Sequence, residues 1–247
     1  MKYTGEEKKI PLTPISIARL FLLFIVTVTT FGIALFPIIL SFKYVFQYLD
    51  FSRIIHLFIF SIILILDFLL FILSTIISSA FFINILDLKY KEGKYGKSLQ
   101  DKTAFKFTLY YALYHPAYKL INIFNLTPLK PFYLRLIGCK IGKNVFLAGE
   151  EWIIDPSVTE IGENTMIGGK TILSAHLAEE KLIVKKIKIG KNCLIGGQSL
   201  ILPGAIIEDN VVLGAKSLVT KNQILKKGKT YAGNPAKEIK KKNKKTI

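Results

Sequence analysis

The chain has 247 residues, room for one or two domains, with 51% apolar residues and a formal charge of +17. Lys rather than Arg carries nearly all of that charge and no RNA- or DNA-reading motif accompanies it, which argues against a nucleic-acid partner. Two cysteines, Cys139 and Cys193, form neither a disulfide framework nor a metal-ligand spacing; Cys193 reads as a buried free thiol, and a reducing compartment fits.

Composition changes along the chain. Residues 12–86 are dominated by Ile, Leu, Phe and Val, and residues 87–247 are dense in Lys and Gly, so the two parts face different solvents. Residues 1–88 read as a membrane anchor. Residues 15–41 carry a single cation, Arg19, and residues 54–86 carry Asp67 in their interior. Each run exceeds the roughly 20 apolar residues that a spanning helix needs. The N-terminus is too long and too weakly basic for a cleaved signal peptide. Lys2, Lys8 and Lys9 precede the first run and Lys89, Lys91, Lys94 and Lys97 follow the second, against only Lys43 and Arg53 between them. That bias places both termini, and whatever follows, in the cytoplasm. Asp67 is costly inside a membrane unless partnered, and Thr27, Thr29 and Thr30 are the expected partners on the first helix.

Residues 89–135 form a juxtamembrane segment. Phe105, Phe107, Tyr110, Tyr114 and Tyr118 alternate with Lys106 and Lys119. Aromatic bodies with polar tips suit a helix lying in the membrane interface. His115-Pro116 should break it.

From Ile189 the chain falls into blocks of six: IGKNCL, IGGQSL, ILPGAI, IEDNVV, LGAKSL. Apolar residues stand at 189, 195, 201, 207, 213 and 219, and a small or slender side chain follows four residues into each block, at Cys193, Ser199, Ala205, Val211 and Ser217. Earlier blocks start at 141, 147, 161 and 167. Neither a helix nor an antiparallel strand has a period of six. A triangular coil of three short strands per turn does, each block sending one aliphatic side chain inward and turning at a corner rich in Gly, Asn or Asp. The fold expected over residues 136–240 is therefore an all-β left-handed parallel β-helix, preceded by two transmembrane helices and an interfacial helical segment, and followed by a basic tail over 241–247.

These blocks, with Ile195-Gly196-Gly197, the Pro203-Gly204 corner, the run Lys216 to Lys221 and the ending Gly233-Asn234-Pro235-Ala236-Lys237, resemble the hexapeptide-repeat acyltransferases. A looser likeness joins LIGCKIGKNV and Asp155-Pro156 to the terminal membrane domains of some nonribosomal peptide synthetases. The first resemblance implies transfer of an acyl group, acetyl foremost, from acyl-CoA to a hydroxyl or amine, with one histidine as general base and the active site between subunits of a trimer. His176 is the one histidine of the repeat region, and it stands where the register breaks: after Leu173 the next clean block begins sixteen residues later, at Ile189. Imidazole titrates near neutrality, which suits base work. Its orienting partner could be Asp155, Glu179 or Glu180. By the same resemblance Gly197 and Ala215 line the pantetheine path, Thr220 and Lys221 meet the adenine, and Lys237 and Lys240 approach the phosphates. A lone histidine per subunit does not fit the three-histidine zinc sites found in related coils, so no metal is expected. The acceptor is read as membrane-associated, a lipid-linked sugar or a lipid headgroup. A membrane-tethered trimeric scaffold with a degenerate site is the alternative.

Overall fold

The computed structural model describes residues 13–239. Lys2, Lys8, Lys9, Lys240 and the basic tail lie outside the described residues. Four helices precede a β-coil. The first, α1, runs Pro14–Tyr48 and the second, α2, Ile54–Ile85. Thr13 caps α1, its Oγ1 accepting from Ser16 N at 3.3 Å, and Pro14 opens the helix where its missing N–H is no loss. By length and composition both helices suffice to cross a membrane. Phe21, Phe24, Phe36, Phe58 and Ile77 each leave more than half of their surface uncovered by protein.

Asp67 is buried, and its partner differs from expectation. Ser41 Oγ donates to its Oδ2 at 3.0 Å, while Thr30 bonds its own helix at Val26 O. The reason is reach: α1 continues as helix past residue 41 to Tyr48, which sets Ser41 beside Asp67.

The third helix, α3, spans Lys102–Ile123, and the fourth, α4, Leu129–Leu136. Asp101 caps α3 through bonds from Thr103 N and Ala104 N. The break expected at His115-Pro116 is absent, and α3 is one helix through Pro116. Its tyrosine stripe is also not turned outward. Tyr110, Tyr114 and Tyr118 are fully buried: Tyr110 donates to Ile137 O at the end of α4, and Tyr114 and Tyr118 lock onto the coil at Ile153 O and Glu151 Oε1, at 3.0, 2.8 and 3.0 Å. This packing holds the helix together across the proline, which by itself costs about 3 kcal/mol.

The coil has three faces of stacked, parallel, two- or three-residue strands. The first stacks Lys140–Ile141, Thr159–Ile161, Ile187–Ile189, Ile206–Ile207 and Ile224–Leu225. The second stacks Phe146–Leu147, Met166–Ile167, Leu194–Ile195, Val212–Leu213 and Thr230–Ala232, and Lys237–Glu238 closes it antiparallel. The third stacks Trp152–Ile153, Ile172–Leu173, Leu200–Ile201 and Leu218–Val219. The residues at 189, 195, 201, 207, 213 and 219 all point into the core, and the period extends to Leu225 and Tyr231.

Corners need left-handed backbone. At the first corner Asn144, Asn164, Asn192 and Asn210 supply it, with φ between 53° and 58°. At the second, Glu150, Lys170, Gln198 and Lys216 adopt the same conformation, with φ between 53° and 61°, although none of these four is Asn or Gly. The strain is offset by ladder bonds between turns: Lys170 N to Gly149 O, Gln198 N to Gly169 O and Lys216 N to Gly197 O.

Candidate active site

The third corner is irregular, and the candidate site forms there. In the first turn of the coil the chain leaves the third face at Ile154, passes Asp155 and makes a short 3-10 turn, Pro156–Val158. In the second turn it leaves at Leu173 and projects a hairpin, His176–Ala178 paired antiparallel with Leu182–Val184. Turn stacking, with Ile154 N bonded to Leu173 O at 3.0 Å, sets Asp155 against the root of that hairpin.

Asp155 is fully buried. Its Oδ2 accepts from Ala175 N at 2.8 Å, and His176 Nδ1 stands 2.8 Å from Oδ2 and 3.0 Å from Oδ1. The Tyr90 hydroxyl donates to Oδ1 at 2.7 Å. An ionised carboxylate only accepts, so Nδ1 carries the proton and Nε2 keeps its lone pair. Nε2 meets no hydrogen-bond partner among the described residues, and the His176 side chain is 23% exposed. Phe107 of α3 packs its ring edge-on against the imidazole, with centroids 4.9 Å apart. The result is an oriented imidazole with one nitrogen available, on a buried anion held by three donors. Such an arrangement can take a proton from a hydroxyl or amine and stabilise the imidazolium that forms.

Of the three carboxylates open in the sequence, Asp155 is the one that meets His176. Glu180 stays at the exposed hairpin tip, and Glu179 is paired with Lys221 at 2.7 Å. The reason is direction: both glutamates follow His176 along the hairpin, whereas Asp155 comes up from the turn below. Tyr90 and Phe107 were not legible as site residues. Tyr90 sits in the lysine-rich stretch after α2, where no spacing marks it. Burial and the Asp155 charge push its hydroxyl well above the usual tyrosine range, so it remains a donor at any physiological pH. His115, the other histidine near the coil, stacks on Tyr111 with centroids 4.8 Å apart. Burial, then Lys119, holds its pKa below the ordinary value.

Gly197 and Ala215 stand at the second corner in successive turns. A Cβ on Gly197 would meet Gly169 O at 2.8 Å, so the close stacking requires glycine. Thr220 and Lys221 stand at the third corner, the one that carries the hairpin. Thr220 is tied to Gln223 Oε1 through both its N–H and its hydroxyl, and Lys221 reaches the hairpin at Glu179. Lys237 is exposed on the closing strand, where it pairs with Ala232, the residue stacked on Gly214 next to the second corner. The described residues hold no cluster of three His, Cys, Asp or Glu side chains placed to bind a metal ion.

A repeating three-faced coil with a histidine hairpin at one corner defines a class of fold, and the repeat region is similar to the hexapeptide-repeat transferases. Residues 186–221 match the family model described as bacterial transferase hexapeptide (six repeats). The chain is similar to delta-poly-L-ornithine synthetase of Acinetobacter baumannii, 27% identical over 117 residues, which are 47% of this chain and 9% of that protein. It is similar as well to galactoside O-acetyltransferase of Escherichia coli, 36% identical over 90 residues, 33% of this chain and 44% of that one. The matched stretch thus spans less than half the length of either relative. Among solved structures, a maltose O-acetyltransferase from Clostridium difficile 630 superimposes with a TM-score of 0.49 at 21% identity, over 60% of this chain and 92% of that one.

Proposed function

We propose that this chain transfers an acyl group, acetyl foremost, from acyl-CoA to a hydroxyl or amine of a membrane-associated acceptor, with His176 as general base and Asp155 as the group that orients it. The observation that carries the reading is the buried Asp155 holding His176 by Nδ1, which leaves Nε2 for chemistry. Nε2 takes the acceptor's proton as its oxygen or nitrogen attacks the thioester carbonyl. The tetrahedral intermediate expels the thiolate as the C–S bond breaks, and the imidazolium returns the proton to the departing sulfur. The products are the acylated acceptor and free CoA. Acyl-CoA is read as lying along the second corner at Gly197 and Ala215, with its nucleotide towards Thr220, Lys221, Lys237 and Lys240.

The two long apolar helices support an anchored protein. The lysines flanking them, set against the few between them, favour a catalytic domain on the cytoplasmic side, and an acceptor that lives in the membrane explains why a transferase carries such an anchor. A homotrimer, with the site between neighbouring coils, is the assembly the family resemblance implies. The test is acetyl-CoA turnover by the full chain in lipid nanodiscs, wild type against His176→Ala, with extracted lipid and sugar fractions as acceptors. CoA release that needs one fraction and falls 10²- to 10⁴-fold in the variant supports the base. Equal, negligible release by both, with no protection of the protein by CoA against heat, overturns the enzyme in favour of a scaffold.

A further inference from the structure

The strand Gly93–Tyr95, just after the anchor, pairs antiparallel with Leu182–Val184 and makes the histidine hairpin a three-stranded sheet. Between that sheet and the third corner lies a cavity of about 640 Å³, within the range of small-ligand sites. Four lysines line it, Lys94, Lys185, Lys186 and Lys188, against one carboxylate, Glu92, and Ile183 and Ile206 give it an apolar wall.

The lysines are not equally compensated. Lys186 Nζ sits 3.2 Å from Glu160, and Glu92 Oε1 is occupied by the Lys186 backbone N–H. Lys185 Nζ meets only the neutral Asn222 Oδ1, at 2.7 Å. Lys94 and Lys188 form no ion pair among the described residues. Elsewhere on the coil Lys140, Lys191, Lys221 and Lys226 each rest on a glutamate. Three uncompensated ammonium groups around one cavity repel each other and raise the local potential for an anion. Ammonium groups bind phosphate as point charges with several donors each.

The position relative to His176 narrows the ligand. Lys94 pairs in register with Ile183, and His176 with Val184. Alternation puts Lys94 and Ile183 on one face of the sheet and His176 on the other, with the His176 strand about 4.8 Å beyond the strand that lines the cavity. A phosphate held there is too far round the hairpin to be the reacting group. It fits a handle, with the acylated hydroxyl or amine several ångströms further along the same molecule. Lys94 also lies only nine residues beyond Ile85, which keeps it within a chain reach of about 30 Å of the end of α2.

We infer that this cavity is a phosphoanion subsite for the acyl acceptor, which therefore carries a phosphate or diphosphate between its membrane-bound part and the group that is acylated. The inference rests on the acyltransferase reading and adds the substrate class to it.

The probe is inorganic pyrophosphate, titrated by calorimetry into the full chain in phosphatidylcholine nanodiscs. Wild type binds it saturably. The triple variant Lys94→Gln, Lys185→Gln, Lys188→Gln weakens binding at least tenfold. A control triple, Lys143→Gln, Lys181→Gln, Lys227→Gln, removes the same charge from exposed positions outside the cavity and stays within twofold of wild type. CoA titrated into the same samples is unaffected by the cavity triple. Three results overturn the subsite: no saturable pyrophosphate binding, equal loss in the control triple, or a parallel loss of CoA affinity, which would assign the lysines to the nucleotide. His176→Ala keeps pyrophosphate binding, so failure of the transferase reading and failure of the subsite are read separately.

Discussion

In the coil each buried side chain copies its neighbour one turn away: Ile189, Ile207 and Leu225 line the first face, and Ile195 and Leu213 the second. Along the seam between α3 and the first turn nothing repeats. Three tyrosine hydroxyls reach three different acceptors, and a glutamate stands where the repeat elsewhere places a small residue. The corner position filled by Thr171, Ser199 and Ser217 in later turns is Glu151 in the first. It is fully buried, 3.2 Å from the equally buried Lys130 of α4, and bonded to Tyr118 and Gly149 N. The Lys130 ammonium is in contact with that carboxylate but out of line for a hydrogen bond, so the pair is close without being well satisfied. A periodic core spreads its stability over many equivalent contacts, whereas the seam concentrates its stability in a few groups that cannot be replaced singly.

The sharpest way to break that contrast is at the seam. Glu151→Ala strands a buried ammonium and should destabilise the protein by about 3–5 kcal/mol. Pairing Glu151→Gln with Lys130→Met should recover most of the loss, read as the thermal midpoint in lipid. A loss no greater than that of a coil substitution would make the seam and the coil alike.

A second prediction links the seam to the chemistry. Tyr90→Phe keeps the ring packing on Phe107 and Tyr110 and removes one hydrogen bond to the buried Asp155 carboxylate. A bond to a charged group contributes about 1.5–3 kcal/mol, so kcat should fall tenfold or more with the KM for acyl-CoA unchanged. A KM effect without a kcat effect would place Tyr90 in ligand binding instead.

Within the coil, Ile201→Val and Ile207→Val should each cost about 0.5–1.5 kcal/mol and about the same as each other, since both sit in equivalent layers. Widely different values would show that turns next to the hairpin are not equivalent to the rest.

An effect of similar size belongs to the cap of α3. Partial burial raises the Asp101 pKa, but bonds from Ala104, Gly96 and Thr103 N–H groups, with Arg19 nearby, outweigh it and bring the value below the ordinary 3.8. A carboxyl with a lowered folded pKa stabilises fully above its unfolded value and loses that contribution as pH falls through the folded one. Asp101→Ala should cost about 1 kcal/mol at neutral pH. Asp101→Asn should cost less, and should flatten the decline of α3 stability below about pH 4, measured by amide exchange.

Much of this molecule is written locally. The period of six, the two apolar runs and the break in register at His176 are carried by residues adjacent in the chain, because strand alternation, corner conformation and helix length are short-range requirements. The list of carboxylates able to meet His176 was also legible, and it contained Asp155. The choice among them was not, since it depends on which turn lies beneath the hairpin. Nor was the orientation of Tyr110, Tyr114 and Tyr118. A phenol needs apolar surroundings for its ring and one acceptor for its hydroxyl, and a membrane interface and a helix–coil seam provide both equally well. The same holds for Tyr90, 65 residues from the carboxylate it holds. Glu151 left one sequence signal, a charge at a position the repeat marks as inward, but its counter-ion Lys130 comes from a helix that obeys no repeat. Only the packed structure sets such partners together, because contacts between a periodic element and an aperiodic one are specified by shape and charge across space, not by spacing along the chain.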